Sequence, residues 1–188
     1  MIANGSPQTL DERIDRLESL DAIRQLPHRY ALAVDTRNID VLVELFVADV
    51  QVGRDLSGRE ALKRWFTNAL SQAKTTIHFV GNHIIDFDSA DRARGVVYCR
   101  DEAERPTDWG VGYLQYWDDY VRHDGRWLFE RRRFHRWFMV DVLTRPSHGA
   151  GVVEGGKILA TGLLPDAWPS WGEFWSRVEE KRADGESR

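Results

Sequence analysis

A histidine in the middle of an extended run offers the first chemistry in this chain. Thr75-Thr-Ile-His-Phe-Val-Gly-Asn-His-Ile-Ile-Asp-Phe87 is rich in β-branched and aromatic residues and stops at the turn cluster Asp88-Ser-Ala-Asp91, so it predicts a strand. Alternation puts Thr76, His78, Val80 and Asn82 on one face and Ile77 and Phe79 on the other. An imidazole held on a strand among apolar neighbours is rigid and partly desolvated, and one nearby carboxylate can tune it for proton transfer near neutral pH. A core histidine with its hydrogen bonds satisfied is the plainer reading of the same residue. Two more charges stand out by parity. Asp101 shares a face with Val97 and Cys99, and Arg136 shares one with Leu128, Phe134 and Phe138. Charges on apolar strand faces are costly unless partnered. Either a polar site at the bottom of an apolar cone or an Asp101–Arg136 structural salt bridge would account for them.

These side chains need elements to hold them. Leu10 to Asp35 has a helical period, with Leu10, Ile14 and Leu17 forming a stripe that Ile23, Leu26 and Tyr30 continue. Thr9 or Asp11 can cap its start, and Pro27 predicts a kink or a new helix start near Leu26. A short helix follows from Ile39 to Phe46, capped by Asn38, and then a short strand from Asp49 to Gly53. Gly58 to Gln72 reads as an amphipathic helix with Leu62, Trp65, Phe66 and Leu70 inward, and with Ser57 and Glu60 at capping-box spacing. Four strands come next: the His78 strand, Arg92 to Glu104, Gly110 to Arg122, and Arg126 to Val142. Asp124-Gly125 makes the hairpin turn between the last two. Arg131-Arg-Arg133 reads as a solvated run. Helices first and consecutive strands afterwards indicate an α+β fold, with helices packed on one face of a curved, mostly antiparallel sheet.

The 188 residues are 42% hydrophobic and 30% charged, which suits one globular domain with an extra segment. A net charge of -4 argues against nucleic acid as a main partner. The single cysteine, Cys99, rules out an intrachain disulfide, and no metal-ligand motif is present. No secretory or membrane-spanning run occurs, so the chain reads as cytoplasmic, with no membrane partner. His83 is placed on the face opposite His78, which rejects a two-histidine metal site. His28, His123, His135 and His148 read as surface or packing residues. Residues 1–145 form the predicted domain. Residues 146–188 form an extension with Trp168, Trp171 and Trp175 at near-helical spacing, read as a lid or an oligomer arm.

In this order the elements resemble the SnoaL-like branch of the NTF2-like superfamily, which includes scytalone dehydratase, hexachlorocyclohexane dehydrochlorinase, ketosteroid isomerase and the bile-acid dehydratases. The resemblance rests on Ala22-Ile-Arg-Gln-Leu26, Tyr30, Val34-Asp-Thr-Arg-Asn38, Glu44-Leu-Phe46, Asp49, Thr76-Ile-His78, Ser89-Ala-Asp91, Gly95 and Tyr120-Val-Arg-His-Asp-Gly-Arg-Trp127. It implies an NTF2-like cone with the N-terminal helices on the concave side of the sheet. It also implies an Asp35–His78 acid–base dyad, with Tyr30, Asp101 and Arg136 at positions where the bile-acid enzymes carry a tyrosine, an aspartate and an arginine.

The activity implied is a cofactor-independent lyase that eliminates water from a cyclic, largely apolar hydroxylated molecule such as a steroid, terpenoid or polyketide. Val97, Cys99, Phe134, Phe138 and Trp65 would line its site. The rivals are a ketosteroid-isomerase-like or cyclase activity, and a non-catalytic ligand-binding or assembly module of the same fold. A homodimer or homotrimer is the expected assembly. Tyr30 and Asp35 are five residues apart, about 140° around an ideal helix, so they share a cavity only if the helix bends or ends near Asp35.

Overall fold

The computed structural model describes residues 9–142 and 158–161, with 167, 169–173, 176 and 180 beyond them. Helix α1 (Leu10–Asp35) opens with a capping box: the Thr9 hydroxyl accepts from the Glu12 N–H, and the Glu12 carboxylate accepts from the Thr9 N–H. The helix runs through Pro27 as a single element, so no new helix starts near Leu26, and Pro27 is fully buried. Its first turns stand clear of the core. Leu10, Ile14 and Leu17 are exposed, so the buried stripe begins only at Ile23 and includes Leu26 and Tyr30.

Helix α2 (Ile39–Glu44) is capped by the Asn38 side chain, which accepts from the Val41 N–H. A small ribbon follows, made of β1 (Gln51–Val52) and β2 (Leu56–Ser57). Helix α3 (Arg59–Leu70) is capped by Gly58 rather than by the expected Ser57. Gly58 has φ 90°, a conformation that L side chains rarely adopt, so the chain turns one residue later than the Ser57–Glu60 spacing suggests.

The main sheet is antiparallel, in the order β3 (Thr75–Phe87), β4 (Arg92–Glu104), β5 (Trp109–His123), β6 (Arg126–Asp141), β7 (Ile158–Thr161). The first four strands lie where alternation predicts them. The β5–β6 turn has Asp124 at φ 49° and Gly125 at φ 74°, as its Asp-Gly pair requires. β7 is a fifth strand that the sequence did not announce. It falls within the extension and pairs with the end of β6. The lid or arm expected of Trp168 and Trp175 lies outside the described residues.

The helices cover one face of the sheet, the concave face of an NTF2-like α+β cone, and the core lies between the layers. Ile23, Leu26, Tyr30 and Val34 of α1, Leu62 and Phe66 of α3, and Val97, Leu114, Tyr116, Tyr120 and Phe129 of the sheet form that core. No described helix is long and apolar enough to cross a membrane.

Three bulges decide which residues face the core. Between Val80 and His83, β3 carries one residue more than β4, so the inward series runs Thr76, His78, Val80, His83, Ile85, Phe87. β6 carries an extra residue at Trp137 and another at Glu130. Its inward series is therefore Phe129, Arg132, Phe134, Arg136, Met139, set opposite Tyr120, Asp118, Tyr116, Leu114 and Gly112. Leu128 and Phe138 fall on the other face from Arg136, where parity alone had grouped all of them together.

Candidate active site

The C-terminal end of α1 meets the edge strand β3. As an edge, β3 has N–H groups with no strand partner, and Asp35 takes one of them: the His78 backbone N–H donates to Asp35 Oδ2 at 2.8 Å. The other carboxylate oxygen lies 2.7 Å from His78 Nδ1 and accepts from the Thr76 hydroxyl at 3.0 Å. One carboxylate thus grips both the backbone and the ring of the same histidine. Burial works to raise the Asp35 pKa, but the His78 ring, the His78 N–H, the imidazolium charge and Thr76 together outweigh it and hold the group below its ordinary value. Nδ1 is occupied by Asp35, while Nε2 has no hydrogen-bond partner among the described residues.

The loop after α1 holds this contact in place. Arg37, with φ 58°, reaches from the helix end to β3. Its guanidinium donates to Val34 O (2.8 Å), Thr76 Oγ1 (2.7 Å) and Ala73 O (2.9 Å). The helix ends at Asp35, and this removes the angular objection to Asp35 and Tyr30 serving one cavity. Arg37 went unrecognised in the sequence because nothing local distinguishes it from a loop arginine. Two of its partners, Thr76 and Ala73, are nearly forty positions away.

Asp101 lies directly opposite His78 across β3 and β4, and Gly112 opposite Asp101 across β4 and β5. The His78 N–H points away from β4 to Asp35, so His78 and Asp101 form a non-hydrogen-bonded pair, the kind that brings side chains closest. The Asp101 carboxyl folds over Gly112. A Cβ there would overlap Oδ1 and lie 3.0 Å from Cγ. Asp101 Oδ1 and Arg136 Nε are buried without partners, and among the described residues no salt bridge joins Asp101 to Arg136. The structural ion pair considered for them is therefore not formed. Burial pushes the Asp101 carboxyl above its ordinary value, against the pull of the His78 and Arg136 charges. Arg136 is on the same inner face, one strand pair along, opposite Leu114, with its guanidinium 5.1 Å from the Phe134 ring.

Deeper in the cone, Tyr30 packs edge-on against Tyr116 at 5.6 Å and against Phe46, Phe66 and Phe129. Desolvation raises its phenol to about 12. Tyr116 is buried beside Tyr30, and burial pushes the Cys99 thiol up to about 12. Val97 and Cys99 are buried on this face as expected, and Phe134 is half-exposed.

Other expectations need correction. Trp65 is 51% exposed, its ring edge-on to Phe66, and it does not line the cone. Phe138 packs against Tyr113 at 5.3 Å on the outer face, because the Trp137 bulge reverses its direction. The Val80–His83 bulge turns Asn82 outward and His83 inward, so the reason given against a His78–His83 pairing fails. His83 instead bonds Tyr120 Oη at 3.0 Å, and burial lowers it to about 4. Among the described residues no group of three His, Cys, Asp or Glu side chains forms a metal cluster. Arg132, read as part of a solvated run, is buried in an ion pair with Asp118.

The SnoaL-like domain family matches residues 15–133, the stretch that contains the Asp35–His78 contact and most of the sheet. The chain belongs to the SnoaL-like family. No curated protein matches it. A solved structure of a provisionally named scytalone dehydratase from Novosphingobium aromaticivorans is similar to this SnoaL-like chain at 26% identity, with a TM-score of 0.63, covering 75% of this chain and 99% of the other. Hexachlorocyclohexane dehydrochlorinase type 3 from Novosphingobium barchaimii shares the fold at 22% identity and a TM-score of 0.64, covering 75% and 98%.

Proposed function

We propose that the protein is a cofactor-independent lyase of the dehydratase type, acting on a cyclic, largely apolar hydroxylated substrate. The observation that carries this reading is the Asp35–His78 contact at 2.7 Å, with the second carboxylate oxygen on the His78 backbone. With Nδ1–H donating to Asp35, the imidazole tautomer presents Nε2 as a base. His78 takes a proton from carbon as the adjacent C–O bond breaks, then returns it to the departing oxygen, so that water leaves and a double bond remains. Asp35 stabilises the imidazolium formed between these steps. Tyr30 and Arg136 donate to a substrate carbonyl as negative charge grows on it. Asp101, close to both His78 and Arg136, assists at the leaving hydroxyl.

Screening hydroxylated cyclic ketones by mass spectrometry tests the reading. The expected product lacks the mass of one water, and His78→Ala abolishes its formation while the fold persists. An isomerised product of unchanged mass would replace elimination with proton relocation by the same base. A fully active His78→Ala would remove the acid–base reading altogether. The exposed outer-face rings Phe79, Tyr98 and Tyr113 support assembly as a homodimer or homotrimer, which sedimentation would reveal.

A further inference from the structure

Arg132 is an arginine sealed in the core. Its side chain is 5% exposed and that of Asp118 is 0%. Asp118 takes one edge of the guanidinium, with Nε to Oδ1 at 2.8 Å and Nη2 to Oδ2 at 2.7 Å. On the far side Asp118 is braced by Tyr120 Oη at 2.8 Å, which in turn contacts His83. The opposite guanidinium edge, Nη1, has no hydrogen-bond partner. Aromatic faces surround the cation instead: Cζ lies 4.0 Å from the Tyr116 ring centre, 4.2 Å from Phe129 and 4.3 Å from Tyr30.

A buried ion pair is a weak source of stability, since apolar residues of equal volume serve as well or better. Its position against two phenols therefore calls for another role. A cation on the face of a phenol ring favours negative charge on that ring's oxygen and strengthens its O–H as a donor. The Tyr30 and Tyr116 rings meet edge-on at 5.6 Å, so both phenols lie against the same cation. Tyr116 lies opposite Val97, and Cys99 stands between Val97 and Asp101 on the inner face of β4, which ties this corner to the His78–Asp101 row.

We infer that Arg132, acting through the rings of Tyr30 and Tyr116, backs an oxyanion-binding corner in which the site receives a ligand oxygen carrying negative charge, an enolate or phenolate oxygen. The inference rests on the reading of Tyr30 as a donor to substrate. It adds Tyr116 as a second phenol donor beside Tyr30, and Arg132 as a positioning residue that never touches the ligand. The electrostatics agree in sign: Arg132 favours Tyr30 ionisation more than Asp118 opposes it, although desolvation outweighs both.

The test uses para-nitrophenol, whose ionised form is read by its visible absorbance. The intact protein binds the phenolate in preference to the neutral phenol. Replacing the ion pair by the uncharged pair Arg132→Met with Asp118→Leu leaves no lone buried charge, and lowers that preference about ten-fold or more. Tyr116→Phe removes one hydroxyl and lowers it in the same direction. It decides the matter alone if the double variant does not fold. A wild-type protein that prefers the neutral phenol, or binds neither form, overturns the inference, as does a folded variant that keeps the full preference. His78→Ala, run alongside for turnover, separates the two readings. If it stays active while the phenolate preference depends on Arg132, the dyad fails and the oxyanion corner stands. If it is inactive and the preference ignores Arg132, only the corner fails.

Discussion

Arg37 donates to Thr76 Oγ1 at 2.7 Å, and Thr76 donates to the Asp35 oxygen that faces the His78 ring. The His78 ring, the base of the proposed reaction, is therefore oriented by a chain that starts in the loop after α1. Arg37→Gly keeps the backbone at φ 58° unstrained and deletes only the side-chain bonds. Turnover should fall by up to about 100-fold with KM little changed, because a slightly misplaced base loses rate rather than affinity. Steady-state kinetics on the dehydration substrate would show this. A variant with unchanged kcat would mean that Arg37 only ties the loop down.

Gly112 allows Asp101 to lie flat against β5. Gly112→Ala puts a methyl where Oδ1 sits, so the carboxyl must rotate away. We expect a stability loss of about 1–3 kcal/mol by urea denaturation. A crystal structure of the variant should show a different Asp101 rotamer. Finding Asp101 unmoved would contradict the packing argument.

The two carboxyls predict opposite pH effects. Asp35 is held below its ordinary value, so its contribution to stability is present above about pH 4 and is lost as the pH falls through the lower folded value. Asp35→Asn should therefore destabilise at neutral pH and converge with the parent in strong acid. Asp101 is raised by burial, so the folded state holds its proton longer than the unfolded chain does. Stability falls as pH rises from about 4 through the folded value, and Asp101→Asn should gain stability above that window. Denaturant midpoints across the acid range check both signs.

His83 adds a third window. Burial pushes it down to about 4, so the unfolded chain binds a proton first as the pH drops below about 6.5. Stability carried by neutral His83 is lost between those two values. His83→Gln should flatten that limb of the stability profile, and an unchanged limb would assign it elsewhere.

Trp65 serves as a control. Half-exposed and resting on Phe66, it should be replaceable by Ala at a cost of about 1 kcal/mol or less with no change in turnover. Phe134→Ala, beside Arg136 on the inner face, should weaken ligand binding instead. Ligand titration of the two variants separates them.

The sequence by itself determined the elements and the pair at the centre. Alternation and turn residues placed β3 to β6 within a residue or so, Asp124-Gly125 marked the hairpin, and the motifs taken in order carried the family resemblance that implied Tyr30, Asp35 and His78. The strands and the turn are local features, set by backbone propensity and short-range periodicity, whereas the Asp35–His78 pairing came from the resemblance. Tertiary structure alone decided the faces. A bulge adds one residue that only the partner strand's register reveals, so Phe138 turned out and His83 turned in. It also decided the fate of the charges. Arg131, Arg132 and Arg133 look alike in sequence, and only the middle one meets Asp118 under three aromatic rings. Whether an arginine is solvated or sealed depends on what the other strands bring to it, and no periodicity along its own strand records that.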